Sequence, residues 1–123
     1  MITWEINITR ESFIDIVNGE KIYIGSANHE LTEKDYRNVK PEDVLEFYLV
    51  DESGDKLTEA PCYWRKVEKV LSFNILEEAL KNVDLQKLNP RLNTLEENLQ
   101  HYYSINSYKE RIEKYGFTVI KFK

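Results

Sequence analysis

The chain has 123 residues, of which 22 are acidic, 17 are basic, two are histidine and one is cysteine. This length supports one domain, residues 1–123, whose hydrophobic core needs neither a disulfide bond nor a structural metal. Because Cys62 is the sole cysteine and because His29 and His101 are far apart in the sequence, we expect no metal site, no cofactor and a reducing, cytoplasmic location.

Charge and hydropathy exclude two further classes of protein. No segment approaches the roughly 18 apolar residues that a membrane-spanning helix requires, and the N-terminus lacks the basic and apolar parts of a signal peptide. The net charge of −5 argues against a protein that wraps a long nucleic acid. Residues 1–63 carry 14 acidic and 6 basic side chains, whereas residues 64–123 carry 8 and 11, so the second half has the composition for a local basic surface.

The N-terminal part of the sequence predicts a strand, a helix and a second strand. Apolar and polar residues alternate over residues 2–8, which is typical of a half-buried strand. Thr9 is placed to cap the following helix, and Gly19 supplies the left-handed residue that ends it. Residues 21–24 predict a second strand that breaks at residues 25–28. The predicted buried stripe of the helix consists of Phe13, Ile14, Ile16 and Val17.

A helical turn at residues 32–37 precedes a predicted β-hairpin. Its arms are residues 44–50 and about 56–71, and a cluster of turn-forming residues separates them. Val67 and Val70 have opposite parity along the second arm. If both are buried, this strand needs a bulge or a bend.

Three helix starts share one signature, in which a polar capping residue is followed three positions later by Glu. They are Asn74 with Glu77, Thr94 with Glu97 and Ser107 with Glu110, and they predict helices at about residues 75–82, 95–104 and 108–115. Residues 117–122 predict a closing strand. The order β-α-β-β-β-α-α-α-β has too few helices between strands for a parallel sheet. It therefore predicts an α+β fold, with a small, mostly antiparallel curved sheet or barrel and helices packed at its side.

This order of elements, with Trp4 in the first strand and Gly19-Glu20-Lys21 after the first helix, resembles the ASCH domain family of the PUA-like superfamily. The resemblance continues through residues 67–74 and 115–120 and spans nearly the whole chain. It implies a PUA-like pseudo-barrel with a ligand cleft. It also implies work on RNA: binding it, cutting it or, in a short amidohydrolase branch, removing the acetyl group from acetylated cytidine.

The family motif Gly-x-Lys-x-x-Glu-x-Arg corresponds here to the run from Gly19 to Ser26. Gly19 and Lys21 match the motif, whereas Ile24 and Ser26 replace its Glu and its Arg. The resemblance therefore implies an RNA- or nucleotide-binding module without catalytic activity. The amidohydrolase branch uses a Lys, a Thr and a Glu, and Ile24 stands in place of that Thr. Either Ser26 substitutes for it or this chemistry is absent.

Lys21 and the residues after it form the first part of the predicted site. Lys21 suits a phosphate contact, or a general base if burial lowers its pKa, although a solvated lysine at a strand edge is the simpler interpretation. Ser26, Asn28 and His29 form a predicted polar turn beside it, and such loops often carry function.

The second part is the strand segment Tyr63-Trp64-Arg65-Lys66. It combines aromatic rings with cations, as sites for single-stranded nucleic acids do. Trp64 and Lys66 share one face of the strand, and Tyr63 and Arg65 share the other, so half of this set is expected to point inward. The alternative is that one of the aromatic rings packs in the core and that the basic side chains are simply solvated at the surface.

Three functions remain open at this point. The first is the binding of RNA or a nucleotide by Lys21, Ser26, Asn28, His29, Trp64, Arg65 and Lys66. The second is a small hydrolase acting on RNA or acetylated cytidine, with Lys21 and Ser26 as catalytic residues. The third is a protein-interaction domain whose acidic first half meets a basic partner. The sequence contains no phosphate-binding loop, dinucleotide fingerprint, zinc-protease motif or nucleophile elbow.

Overall fold

The computed structural model describes residues 1–32 and 35–123, and this part of the chain contains five strands and five α-helices. The strands are β1 (Thr3–Ile8), β2 (Tyr23–Ala27), β3 (Val44–Leu49), β4 (Tyr63–Phe73) and β5 (Phe117–Phe122). The helices are α1 (Arg10–Val17), α2 (Leu76–Lys81), α3 (Leu85–Leu88), α4 (Leu95–Ser104) and α5 (Tyr108–Tyr115). A 3-10 turn covers Tyr36–Asn38. The helical turn predicted at residues 32–37 includes Glu33 and Lys34, which lie outside the described residues.

The strands of the described ranges form one sheet in the order β1-β3-β4-β5-β2. β1 pairs with β3 in parallel, and the other three pairs are antiparallel. The sheet is strongly curled into a half-barrel, and β1 and β2 are its two edge strands. The predicted α+β class, with a small, mostly antiparallel curved sheet and helices at its side, is confirmed.

β5 lies between two hydrophobic clusters. Ile120 and Phe122 belong to the cluster inside the curl of the sheet, which α1 also joins. Phe117 and Val119 point the other way, into the cluster under helices α2 to α5. Because successive side chains of a strand point to opposite faces, four neighbouring apolar positions can fill both clusters. β5 is therefore buried on both faces and holds the helical layer against the half-barrel.

The first strand follows its sequence pattern, but the first helix does not. Exposed and buried positions alternate through β1, as predicted, and Thr9 caps α1 by accepting a hydrogen bond from the backbone N–H of Ser12 at 3.3 Å. The predicted apolar stripe of α1 is partly wrong, since Ile14 is 44% and Val17 45% exposed. Asp15 is buried in their place, because an arginine from a distant part of the chain pairs with its carboxylate.

The second strand begins and ends later than predicted. β2 continues through the residues that were expected to break it, so Ser26 lies on a strand and pairs with Thr118 of β5 instead of sitting in a loop. The physical reason is Gly25, at which a Cβ atom would lie only 2.7 Å from the Phe117 ring and 2.9 Å from the Tyr102 hydroxyl. Glycine here permits close packing within a strand and does not mark a turn.

The β-hairpin and its irregularity are confirmed. β3 and β4 are antiparallel, and the register of β4 against β5 shifts between Val67 and Lys69. This bulge lets Val67 and Val70 both pack against the inner cluster despite their opposite parity.

Of the three predicted capping boxes, the one at α4 is confirmed. Thr94 accepts from the N–H of Glu97 at 3.1 Å, and the Glu97 carboxylate accepts from the N–H of Thr94 at 3.1 Å. The box at Asn74 is wrong, because α2 starts later and has Ile75 as its N-cap. The box at Ser107 is also wrong. Ser107 has the left-handed φ of 68° and makes no side-chain cap bond to the amides at the start of α5. The short helix α3 was not predicted.

No helix within residues 1–32 and 35–123 combines the length and the apolar character needed to cross a membrane.

Candidate functional site

A cleft lies between the two edge strands of the half-barrel. It consists of two adjoining cavities of about 330 and 240 Å³, and Ser26, Tyr36 and Tyr108 line both of them. We call this feature the edge cleft. Its remaining lining residues are Glu5, Ile6 and Asn7 of β1, Ile24, Gly25 and Ala27 of β2, and His29, Thr32, Asp35 and Arg111.

Two tyrosine rings wall the edge cleft, and each is fixed by another aromatic ring. Tyr36, from the 3-10 turn, meets the ring of Trp4 edge to face at 6.1 Å, and its hydroxyl donates to the carbonyl of Glu5 at 3.2 Å. Tyr108, the first residue of α5, lies parallel to Tyr102 at 6.5 Å. Burial, together with the nearby Tyr108 and Glu5, raises the pKa of Tyr36, so its phenol stays protonated at neutral pH.

Ser26 adds a hydroxyl group between these rings. Its Oγ lies 3.4 Å from the hydroxyl of Tyr108 and donates to the carbonyl of Ala27 at 3.1 Å. The floor of the cleft thus offers two hydroxyl groups that donate and accept hydrogen bonds.

One end of the edge cleft is charged. Burial alone would raise the pKa of Asp35, but hydrogen bonds from Arg37 and from the backbone N–H of His29 hold it below its usual value. Arg111 donates to the carbonyls of Ala27 and Asn28 at 2.7 and 3.2 Å and lies over the Tyr108 ring. Among the described residues, no carboxylate lies within ion-pair distance of Arg111. Its positive charge therefore remains available to an anionic ligand.

The structure brings together two of the predicted site residues and separates the others. Ser26 and His29 line the edge cleft. Asn28 is buried, and its side chain is used internally: Nδ2 donates to the carbonyl of Tyr115 at 3.0 Å, and Oδ1 accepts from the Thr118 hydroxyl at 2.6 Å. Asn28 thus ties β2 to the end of α5 and the start of β5.

Lys21 lines a different cavity, of about 200 Å³, which we call the Lys21 cavity. Its walls come from α1, from the connection between α3 and α4, and from α4. The lining residues are Thr9, Glu11, Ser12, Asp15, Lys21, Asn89, Pro90, Arg91, Leu92 and His101. The predicted placement of Lys21 beside Ser26 and His29 is therefore not what the fold produces.

Lys21 is 7% exposed, and its ammonium group donates to the backbone carbonyl of Leu88. Burial lowers its pKa from 10.5 to about 8, and the nearby carboxylate of Asp15 partly opposes this change. At the mouth of the cavity, burial and the charge of Lys21 lower the pKa of His101. The cavity therefore combines a deeply buried amine with an imidazole that is neutral at neutral pH.

The aromatic and basic segment of β4 lines neither the edge cleft nor the Lys21 cavity. Trp64 is 57% exposed, Lys66 lies 3.7 Å from the carboxylate of Glu42, and Arg65 lies 4.1 Å over the ring of Tyr63. Trp64 and Lys66 do point to one face of the strand and Tyr63 and Arg65 to the other, as predicted.

Sequence reasoning missed most of the residues that wall these cavities. Tyr108 and Arg111 come from α5, more than 80 positions after the β2 residues that they contact. For Asp15 a signal was present, since a charged residue within an apolar helical stripe must find a partner if it is buried. Within residues 1–32 and 35–123, no group of three or more His, Cys, Asp or Glu side chains is arranged to hold a metal ion.

Comparison with known proteins identifies the fold. No family profile matches the chain, and no curated protein sequence matches it. The structure is similar to the crystal structure of hypothetical protein PH0355, with a TM-score of 0.77 and 23% identity over 99% of this chain and 98% of that chain. It is also similar to the solution NMR structure of protein PF0455 from Pyrococcus furiosus, with a TM-score of 0.69 and 24% identity over 99% and 96% of the two chains. At these identities the likeness establishes a shared fold.

Proposed function

We propose that this protein is an ASCH-like module of the PUA-like superfamily that binds a nucleotide or a short single-stranded RNA in the edge cleft, without catalysis. The observation that carries the proposal is the pair of tyrosine rings, Tyr36 and Tyr108, that face one cleft at the open side of the half-barrel. Aromatic rings bind nucleobases by stacking, and every base offers a flat face to them.

The polar groups of the edge cleft suit the edge of a base. β1 and β2 are edge strands, so alternate backbone N–H and C=O groups point outward from each of them. The hydroxyl groups of Ser26 and Tyr108 add donors and acceptors between the rings. A base held between the tyrosines would therefore find partners for its hydrogen-bonding edge.

The charge of the edge cleft favours a small ligand over a long strand. Arg111 is available to one phosphate group, but Arg37 is paired with Asp35 at 2.7 Å and Lys56 with Glu5 at 2.9 Å. A protein that follows an RNA backbone needs a row of unpaired cations. We therefore place one nucleotide in the cleft, with its phosphate near Arg111.

The test is a titration of the protein with ribonucleoside 5′-monophosphates and with a short single-stranded RNA, followed by NMR chemical shifts. We expect saturable shifts at residues of the edge cleft. Replacing Tyr108 by Leu keeps an apolar side chain against Tyr102 but removes the stacking surface. Since stacking contributes about 1–3 kcal/mol per base, affinity should fall roughly five- to 150-fold.

The matched control is Tyr103→Leu, because Tyr103 is an exposed tyrosine of α4 that does not line the edge cleft. This variant should bind like the parent protein. In salt titrations, the logarithm of the association constant should fall linearly with the logarithm of the salt concentration. One phosphate contact predicts a slope of about −1 or shallower. The proposal fails if no nucleotide or RNA binds, or if Tyr108→Leu and Tyr103→Leu bind equally well.

The hydrolase alternative has one observation in its favour, which is the buried amine of Lys21 with a pKa of about 8. A base of this kind suits proton transfer near neutral pH. However, Ser26 lines the edge cleft and Lys21 lines another cavity, so the two do not form one catalytic pair. We expect no deacetylation of acetylated cytidine by the pure protein in a chromatographic assay. Turnover that disappears in Lys21→Ala would replace our proposal with this one.

A further inference from the structure

The Lys21 cavity contains a cation whose hydrogen-bonding capacity is largely unused. An ammonium group has three N–H donors, and Lys21 directs one of them to the carbonyl of Leu88. The carboxylate of Asp15 acts on Lys21, but both of its oxygens accept from Arg91, at 3.0 and 3.2 Å. Within the part of the chain that the structure describes, Lys21 is thus buried without an ion-pair partner, which is a costly arrangement for a charged group.

An imidazole faces the same space. His101 stands at the mouth of the cavity, its ring edge to face with Tyr102 at 5.0 Å. Burial and the positive charge of Lys21 both disfavour protonation of His101. Lys21 is therefore the buried cation of the cavity lining.

The carboxylates at the rim do not form an ion pair with Lys21. Glu11 lines the mouth and Glu20 lies close enough to act on Arg91, but both side chains are exposed to solvent. Solvent and salt screen such charges strongly. Asp15 is the buried carboxylate of the cavity lining, and the guanidinium of Arg91 balances it.

The cavity also has the space and the donors for a ligand. Its volume of about 200 Å³ is far above the roughly 15 Å³ that one water molecule needs. Arg91 has five N–H donors, of which the Asp15 carboxylate takes two. The hydroxyl of Ser12 and the amide of Asn89 line the same space.

From this geometry we propose that the Lys21 cavity is a binding site for a small oxyanion, such as a sulfate, phosphate or carboxylate group. Lys21 supplies the buried charge, the remaining N–H groups of Arg91 supply directional hydrogen bonds, and His101 closes the mouth as a third donor when it is protonated. This site is separate from the edge cleft and does not depend on the function proposed for it.

Binding of an anion must be linked to protonation of Lys21 and His101. An anion beside Lys21 and His101 stabilises the charged form of both, so it raises both pKa values. By reciprocity, the anion binds more tightly as the pH falls and His101 becomes protonated.

The two histidines of the chain report on different cavities. The pKa of each imidazole is measured by NMR in sodium chloride, in sodium sulfate and in sodium acetate at equal ionic strength. Sulfate and acetate keep a constant charge above pH 6, and they distinguish a tetrahedral anion from a carboxylate. We expect at least one of them to raise the pKa of His101 saturably, by roughly 0.5 to 1. His29 lines the edge cleft with Arg111, so any response of His29 reports on that cleft and not on the Lys21 cavity.

Two lysine variants complete the test. Lys21→Met should abolish the response of His101, whereas Lys69→Met, which removes an exposed lysine of β4 outside the cavity, should preserve it. The proposal is overturned if neither anion shifts His101, or if Lys21→Met responds as the parent protein does. Glu11→Gln provides a further check, since removal of a rim carboxylate should tighten anion binding.

Discussion

Arg91 donates two hydrogen bonds to the buried carboxylate of Asp15, from Nε to Oδ2 at 3.0 Å and from Nη2 to Oδ1 at 3.2 Å. The backbone carbonyl of Asp15 also accepts the N–H groups of Glu20 and Lys21, at 2.9 and 3.1 Å. One residue of α1 therefore fixes both the approach to β2 and the connection between α3 and α4. Asp15 and Arg91 are 76 positions apart in the sequence.

We expect Arg91→Met to lower the free energy of unfolding by about 2 kcal/mol. The substitution leaves the Asp15 carboxylate buried without its partner, which costs about 3–5 kcal/mol for a fully buried pair. Arg91 itself is about half exposed, so water can partly replace it. Urea unfolding followed by circular dichroism measures the change.

An exposed ion pair provides the control for Arg91. Lys81 and Glu77 lie 3.1 Å apart on the surface of α2, with both side chains more than half exposed. Lys81→Met should change the free energy of unfolding by less than about 0.5 kcal/mol. If the two variants lost equal stability, the pair of Arg91 and Asp15 would have no special structural role.

Lys21→Met should make the protein more stable at neutral pH, by about 2 kcal/mol. Burial lowers the pKa of Lys21 from 10.5 to about 8, which corresponds to a cost of about 3 kcal/mol for folding with the charged amine. Loss of the hydrogen bond to Leu88 offsets about 1 kcal/mol of that gain.

The difference in the free energy of unfolding between Lys21→Met and the parent protein should depend on pH, and this dependence identifies its cause. Below about pH 8 the amine is protonated in both the folded and the unfolded state, so the cost of burial is fully present. Between about pH 8 and 10.5 the unfolded state binds the proton and the folded state does not, so the stability of the parent protein rises relative to Lys21→Met. Urea unfolding of both proteins at pH 7, 9 and 10 checks this. A constant difference across these pH values would contradict the assignment.

Gly25→Ala should lower the free energy of unfolding by about 1–3 kcal/mol. The added Cβ atom would lie 2.7 Å from Cζ of Phe117 and 2.9 Å from the hydroxyl of Tyr102, so a buried ring must move. Thermal unfolding measures the loss. The double variant with Phe117→Leu should show a favourable coupling between the two sites, because the smaller side chain makes room for the methyl group. Purely additive effects would rule out this steric explanation.

Local patterns predicted the parts of the fold that depend on local physics. The alternation in β1, the cap at Thr9, the capping box of Thr94 and Glu97, and the bulge implied by Val67 and Val70 all appear in the structure. Each of them depends on residues within a few positions of one another. The end of β2 was predicted wrongly because Gly25 leaves room for the ring of Phe117 and does not form a turn. Phe117 is 92 positions away in the sequence, so no local pattern shows this contact.

The candidate site was harder to predict, because its parts come from different elements. Lys21 and Ser26 are close in the sequence but lie in different cavities, since Lys21 precedes β2 and Ser26 is near its end. The edge cleft depends on Tyr36 and Tyr108, whose rings face the same cavities only after the sheet has curled. A pattern within a strand or a helix carries no information on how such distant residues are brought together.

The bulge in β4 has a consequence for the distance across the edge cleft. β1 and β2 do not pair with each other, and the route through the sheet between them passes along β3, β4 and β5. The register shift between Val67 and Lys69 falls on that route, where β4 passes from pairing with β3 to pairing with β5. The added twist at this one point therefore helps to set the separation of β1 and β2. Substitutions there are expected to change the width of the edge cleft while leaving every residue that lines it unaltered.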